Sequence, residues 1–159
     1  MACWEYHRYF EDYTYRVGTQ LLVDGGGAII NYPQQQYDNG VKKNLATGGR
    51  YKFITRAIKR LRNDMVDSGI LAANPIPSYL VECLVYLVPN EGFNHKDDFT
   101  ADVRWALAHL YNNSLPSDEA WKTWTEVNEF KYLLHSSQPW TRDQVHDFIS
   151  AAWDYVGFH

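Results

Sequence analysis

The chain has 159 residues, a length that suits one ordinary domain. Its net charge is −4. A domain that coats nucleic acid through bulk charge is expected to be basic, so we exclude bulk nucleic-acid binding. No stretch approaches the ~20 apolar residues of a membrane span. The first residues form neither a basic nor an apolar leader, and we expect no membrane association and a cytoplasmic protein.

The first 31 residues are predicted to be extended, because they are rich in strand-favouring aromatic residues. Leu21 to Ile30 reads as a hairpin whose turn, residues 24–27, contains three glycines that tolerate positive φ. A strand this close to the start has few partners within the chain. We therefore expect the first strand to pair with a segment outside it.

From Pro33 onward the sequence favours helices, since proline suits the first helical position. Thr47 is predicted to cap the second helix, Ser68-Gly69 to end it, and Thr141 to open the last helix in a capping box with Gln144. The predicted helices span about 33–44, 48–67, 78–88 and 97–111, with a shorter one from 117 and the last from 141. The fold class is therefore α+β and mainly helical, with a β-rich segment at 1–31 and a helical lobe at 32–159.

Two of these helices are amphipathic at three- and four-residue spacing. The predicted apolar face of helix 48–67 consists of Ile54, Ala57, Ile58, Leu61 and Met65. Its opposite face carries Lys52, Arg56, Lys59 and Asn63. The predicted apolar face of the last helix consists of Val145, Phe148, Ile149, Ala152 and Val156.

The cationic face of helix 48–67 has two interpretations. Lys52, Arg56 and Lys59 together could neutralise a triphosphate in a cleft. The same pattern is also typical of an ordinary solvated helix face, and by itself it favours that simpler interpretation.

A second candidate lies at Pro77-Ser78-Tyr79, where another helix begins. A hydroxyl and free backbone N–H groups at a helix start can bind an anion. An adjacent ring can stack on a base, a contact worth about 1–3 kcal/mol. Alternatively, Ser78 caps the helix and Tyr79 belongs to the core.

The sequence shows little sign of a metal-binding site or of redox-active cysteines. Asp97, Asp98 and Asp102 could be arranged as a metal site, but acids at a helix start are more commonly capping residues. The six histidines show no metal-ligand spacing. The two cysteines, Cys3 and Cys83, are expected to be reduced and to lie in the interior.

Several short motifs occur together in an order that resembles one family. They are Asn31-Tyr32-Pro33, Asn39-Gly40, Lys43-Asn44, Thr47, Arg50 to Lys52, Arg56 to Arg62, Ile76 to Cys83, Glu126 to Asn128, Lys131 to Leu133, Pro139 to Thr141 and Ala151 to Tyr155. The chain resembles the second half of the bacterial CD-NTases. These are cyclic-oligonucleotide synthases of anti-phage defence, related to oligoadenylate synthase and cyclic GMP-AMP synthase.

The resemblance implies the C-terminal helical-bundle lobe of a polymerase-β-like nucleotidyltransferase. In such an enzyme an N-terminal lobe binds two Mg²⁺ ions through a Gly-Ser turn and three aspartates, and the C-terminal lobe closes over an ATP or GTP substrate. By this resemblance Lys59 and Ser78 would contact the triphosphate and Tyr79 would stack on the base. Lys52 and Arg56 are added because they share a helix face with Lys59.

The sequence departs from the family in the catalytic motifs. It contains no Gly-Ser pair and no Asp-x-Asp. The resemblance places Met1 just after the strand that carries the third aspartate. We therefore expect no catalytic residue and no Mg²⁺ bound by this chain alone. The chain would be either a truncated gene product or one subunit of a split enzyme whose separate N-terminal lobe supplies the carboxylates. The alternatives are a non-catalytic module that binds nucleotides or cyclic oligonucleotides, or an interaction domain that self-associates through its strands.

Overall fold

The computed structural model describes residues 3–95 and 98–158. Its architecture is α+β and mainly helical, as the sequence predicted. The strands are β1 (Cys3–Tyr9), β2 (Tyr15–Leu22) and β3 (Ala28–Asn31). The helices are α1 (Pro33–Ala46), α2 (Arg50–Asp67), α3 (Ser78–Leu87), α4 (Phe99–Asn113) and α5 (Arg142–Tyr155). Short 3-10 helices cover Leu71–Ala73, Asn90–Phe93 and Ala120–Thr123.

The three strands form an antiparallel sheet in the order β1-β2-β3. The predicted hairpin is confirmed as β2 and β3, and Gly25, Gly26 and Gly27 all have positive φ in its turn. The first strand does have a partner within the chain, and its pairing with a segment outside the chain stays a prediction. β1 pairs with β2 over its whole length, because the tight turn after Tyr9 returns the chain alongside it.

The sheet meets the helices at a close backbone approach. Gly18 on β2 is buried, and a Cβ atom added there would lie 2.6 Å from the Asn31 carbonyl oxygen and 3.0 Å from the Tyr32 ring. Glycine is therefore needed where the end of β3 crosses β2 and turns into α1. The proposed boundary between two units at residue 32 stays a prediction.

Most helix ends follow the sequence signals. The capping box of Thr141 and Gln144 is confirmed, and Gly69 ends α2 with φ of +76°. Thr47 was wrong as the N-cap of α2, because Gly49, with φ of +86°, occupies that position. The Thr47 hydroxyl nevertheless accepts a hydrogen bond from Tyr51 N at 3.1 Å. The element predicted from 117 is only a 3-10 turn.

The core lies between α2, α3, α4 and α5. Ile54, Ile58 and Met65 of α2 are buried there, together with Leu80, Val81, Cys83, Leu84 and Val85 of α3. In α5 the predicted apolar face is confirmed except for Val156, which follows the helix and is exposed. Cys83 is buried and free as predicted, but Cys3 is exposed because it lies at the outer end of β1.

A buried carboxylate ties the start of α2 to α4. Asp102 is fully buried, and its Oδ2 accepts a hydrogen bond from Arg50 Nε at 2.5 Å. Its Oδ1 accepts from His95 N at 3.2 Å and lies 2.8 Å from His95 Nδ1. Asp98 is the N-cap of α4 and accepts from Ala101 N, as the capping interpretation predicted, whereas Asp97 and Met1 lie outside the described residues.

We expect Asp102→Ala to lower the free energy of unfolding by about 3–5 kcal/mol, because it removes the fully buried carboxylate that accepts hydrogen bonds from Arg50 Nε and His95 N. Urea unfolding measures this loss. Asp64→Ala is the control, since Asp64 is exposed and lies 3.8 Å from exposed Arg60. That change should cost less than about 0.5 kcal/mol. Equal losses in the two variants would contradict a structural role for the Asp102 cluster.

Candidate nucleotide-binding cleft

A cleft of about 850 Å³ opens between α1, α2 and α3. Its volume suits a nucleotide-sized ligand. The lining residues are Asn31, Tyr32, Pro33, Gln36, Tyr37, Gly40, Val41, Asn44, Leu45, Tyr51, Lys52, Thr55, Arg56, Lys59, Tyr79 and Glu82. The walls therefore come from three helices and from the junction between β3 and α1.

The α2 wall carries the cationic stripe. Lys52, Arg56 and Lys59 all line the cleft, and the first two are exposed. Their four- and three-residue spacing places them on one helix face over about 10 Å of its length. The lining contains these three cations and one carboxylate, although the whole chain carries a net charge of −4. Positive charge is thus concentrated where an anionic ligand would enter.

Lys59 forms an ion pair across the cleft. Its Nζ donates a hydrogen bond to Glu82 Oε2 of α3 at 2.7 Å, and the two side chains are 28% and 32% exposed. Lys59 therefore points towards α3 rather than into bulk water. The sequence analysis did not single out Glu82. Its only signal is its position three residues after Tyr79, which puts both side chains on the same side of α3.

Tyr79 lines the cleft from α3 and is half-buried. Its hydroxyl donates to Glu126 Oε2 at 2.8 Å, and its ring packs near Trp140. Burial raises the pKa of Tyr79 and of Tyr51, the buried tyrosine that also lines the cleft. Both rings therefore remain neutral at physiological pH, and neither repels an anion.

The structure separates Ser78 from the other candidates. Ser78 is the first residue of α3, it is exposed, and it is not among the residues that line the cleft. Lys52, Arg56, Lys59 and Tyr79 are brought together. The role of each of the five residues stays a prediction.

The α1 wall was missed by the sequence analysis. Tyr37, Val41 and Leu45 are all exposed, and they line the cleft at four-residue steps. None of the residues of α1 is buried, so this apolar row has no packing partner in the core. Its periodicity in an otherwise polar helix was the available signal.

Polar side chains hold α1 in place. Asn39 Nδ2 donates to Val127 O at 2.9 Å, and Lys43 Nζ donates to Val88 O at 2.7 Å. The Lys43 ammonium also lies 5.3 Å from the Tyr86 ring centroid. Burial lowers the pKa of Lys43 to about 8. Asn39 and Lys43 therefore attach α1 to neighbouring segments, while Tyr37, Val41 and Leu45 of the same helix remain exposed at the cleft.

The described lining of the cleft contains one carboxylate and neither histidine nor cysteine. Among residues 3–95 and 98–158, no three His, Cys, Asp or Glu side chains form a group that could hold one. The Cys83 thiol, beside Tyr79, is buried, which raises its pKa to about 12 and disfavours the thiolate. The arrangement can bind and orient an anionic, partly apolar ligand.

Residues 38–157 match the C-terminal helical domain of cGAS/DncV-like nucleotidyltransferases. The chain belongs to this family. It is 49% identical over 139 residues to a cyclic dipyrimidine nucleotide synthase CdnE from Legionella pneumophila, covering 87% of this chain and 45% of that protein. It is 38% identical over 155 residues to a protein of the same name from Cecembia lonarensis, covering 98% and 52%.

A solved structure has the same fold. The CdnE cyclic dinucleotide synthase of Elizabethkingia meningoseptica, determined with GTP and Apcpp, superposes with a TM-score of 0.86 at 29% identity. The match covers 98% of this chain and 56% of that one. The chain spans about half the length of the relatives it matches. Within the described residues, no helix has the length and apolar character needed to cross a bilayer.

Proposed function

We propose that the cleft binds a nucleoside triphosphate and that the chain is the nucleotide-binding part of a cyclic-oligonucleotide synthase of anti-phage defence. The observation that carries this proposal is the inward-facing stripe of Lys52, Arg56 and Lys59 opposite the exposed apolar row of α1. Cations suit the phosphates, and the apolar row suits the base and ribose. The protein would act in the cytoplasm, where nucleoside triphosphates are available.

Different residues would contact the triphosphate and the base of the nucleotide. Lys59 and Arg56 would contact the triphosphate, and exposed Ser78 would reach it from the start of α3 if the ligand extends beyond the cleft. Tyr79 would cover one face of the base, and Tyr37 could contact it from α1. The polar side chains of Asn31 and Gln36 also line the cleft and can hydrogen-bond the base edge or the ribose.

We further propose that the substrates include pyrimidine nucleotides. The support is the higher identity to two cyclic dipyrimidine synthases, 49% and 38%, than to the Elizabethkingia structure that contains GTP, 29%. Purine nucleotides such as ATP and GTP remain the expectation from the wider family resemblance, and a direct comparison of affinities separates the two.

Catalysis would require groups beyond the described residues. Two Mg²⁺ ions would activate the attacking hydroxyl and stabilise the leaving pyrophosphate in a complete enzyme of this family. The described residues provide no carboxylate cluster for them. We propose that a catalytic lobe supplies the metal ligands and that this chain binds, orients and encloses the triphosphate.

Lys59→Ala should weaken binding of UTP to this chain about tenfold or more, because it removes a charged hydrogen-bond donor to phosphate. Isothermal calorimetry measures the affinity, and ATP run in parallel gives the base preference. Arg60→Ala is the matched control, since Arg60 is the adjacent cation of α2 and is 83% exposed outside the cleft. Equal affinities for wild type and Lys59→Ala would refute triphosphate binding at this stripe.

Glu82→Gln should strengthen UTP binding roughly two- to fivefold. The carboxylate competes with phosphate for the Lys59 ammonium, and an ion pair that is about one-third exposed is worth at most about 1 kcal/mol. The gain should shrink at high salt, where such pairs are screened. A loss of affinity would show instead that Glu82 contacts the nucleotide or positions Lys59 for it.

An activity assay tests whether this chain needs a separate catalytic lobe to form a cyclic product. This chain incubated with nucleoside triphosphates and Mg²⁺ should form no cyclic product, and product should appear when a lobe carrying Gly-Ser and Asp-x-Asp motifs is supplied or fused. Chromatography of the products measures this. Robust synthesis by the chain alone would disprove the need for external carboxylates. Tight binding with no product in either case would favour a non-catalytic binding module.

A further inference from the structure

Glu126 is a buried carboxylate that lies directly behind the cleft. It is 1% exposed, and it lies in the loop that connects the last 3-10 helix with α5. Glu126 Oε2 accepts hydrogen bonds from Tyr79 Oη at 2.8 Å and from Asn128 Nδ2 at 2.6 Å. Its Oε1 accepts from Gln138 Nε2 at 2.7 Å and lies 3.4 Å from Lys131 Nζ.

The loop around Glu126 is held by its own backbone hydrogen bonds. Glu126 N donates to Lys131 O at 2.9 Å, and Leu133 N donates to Trp124 O at 2.7 Å. An isolated bridge pairs Thr125 with Tyr132. The carboxylate is therefore presented by a small hairpin-like frame, and its position does not depend on the Tyr79 side chain.

The Glu126 network reaches two walls of the cleft. On one side it receives the Tyr79 hydroxyl from α3. On the other, Lys131 Nζ donates to the Ile30 carbonyl oxygen at 3.2 Å, one residue before Asn31, which lines the cleft. A buried charge is costly unless its partners are well placed, so this network favours one arrangement of those groups over others.

We propose that Glu126 is a positioning residue that fixes the Tyr79 ring for contact with the nucleotide base. This inference rests on the proposed function. The carboxylate, which does not line the cleft, accepts a hydrogen bond from the hydroxyl of Tyr79, which does. Freed from this bond, the Tyr79 side chain regains rotational freedom that a bound base must remove again.

The same helix provides a matched control. Tyr86, seven residues after Tyr79 on α3, donates its hydroxyl to Glu129 Oε1 at 2.5 Å. Neither Tyr86 nor Glu129 lines the cleft. Removal of this second tyrosine–glutamate bond therefore tests for any general effect on α3.

The test uses calorimetry on the whole chain with two probes, UTP and inorganic tripolyphosphate, which carries the phosphates without a base. Tyr79→Phe and Glu126→Gln should each weaken UTP binding about threefold or more and change tripolyphosphate binding by less than twofold. The double variant should bind UTP no more weakly than the weaker single variant, because Tyr79→Phe removes the same hydrogen bond that Glu126→Gln weakens by replacing a charged acceptor with a neutral amide oxygen. Tyr86→Phe and Glu129→Gln should leave both affinities unchanged.

The outcomes separate the positioning role from the proposed function. If wild type binds UTP and Tyr79→Phe binds it equally well, the positioning role is refuted and nucleotide binding stands. If both probes weaken in parallel, Glu126 is only structural and the proposal is again refuted. If wild type binds neither UTP nor ATP, nucleotide binding itself fails. Tyr79→Phe is decisive even if Glu126→Gln does not fold, since it removes only the hydroxyl group.

Discussion

The arrangement of the cleft depends on the packing of α2 against α3. Ile54, Ile58 and Met65 are driven into the core by the hydrophobic effect, and this fixes the rotation of α2 about its own axis. Its remaining face, with Lys52, Arg56 and Lys59, must then look away from the core, towards the space that α1 encloses. A cationic helix face, which usually meets only solvent, becomes one wall of a cavity because α1 crosses in front of it.

Helix α1 closes this cavity without joining the core. None of its residues is buried, and two polar contacts, from Asn39 and Lys43, anchor it to neighbouring segments. Tyr37 and Leu45 therefore stay exposed, an arrangement that costs hydrophobic free energy unless something covers them. An apolar row opposite a cationic row has the polarity of a nucleotide, with its base at one side and its phosphates at the other.

Each of two cleft residues, Lys59 and Tyr79, is bound by a carboxylate from elsewhere in the structure. Glu82 holds Lys59 across the opening, where solvent weakens the pair and a phosphate can compete. Glu126 accepts a hydrogen bond from the Tyr79 hydroxyl outside the cleft, and burial of the carboxylate strengthens this bond. The Lys59–Glu82 ion pair can therefore be exchanged for a phosphate contact when a ligand enters, whereas the Tyr79–Glu126 hydrogen bond is retained. The two contacts differ because Glu82 is partly exposed to solvent and Glu126 is buried, although both residues contribute a carboxylate.

The sequence by itself determined the elements and the candidate cations, because periodicity and capping are local signals. The spacing of Lys52, Arg56 and Lys59, the capping box of Thr141 and the hairpin before α1 could all be read directly, and the order of motifs indicated the family. Only the tertiary structure decided which side chains meet. The Lys59–Glu82 pair and the Glu126 network join residues from separate elements. Such contacts depend on how helices pack, which no pattern within a single helix records.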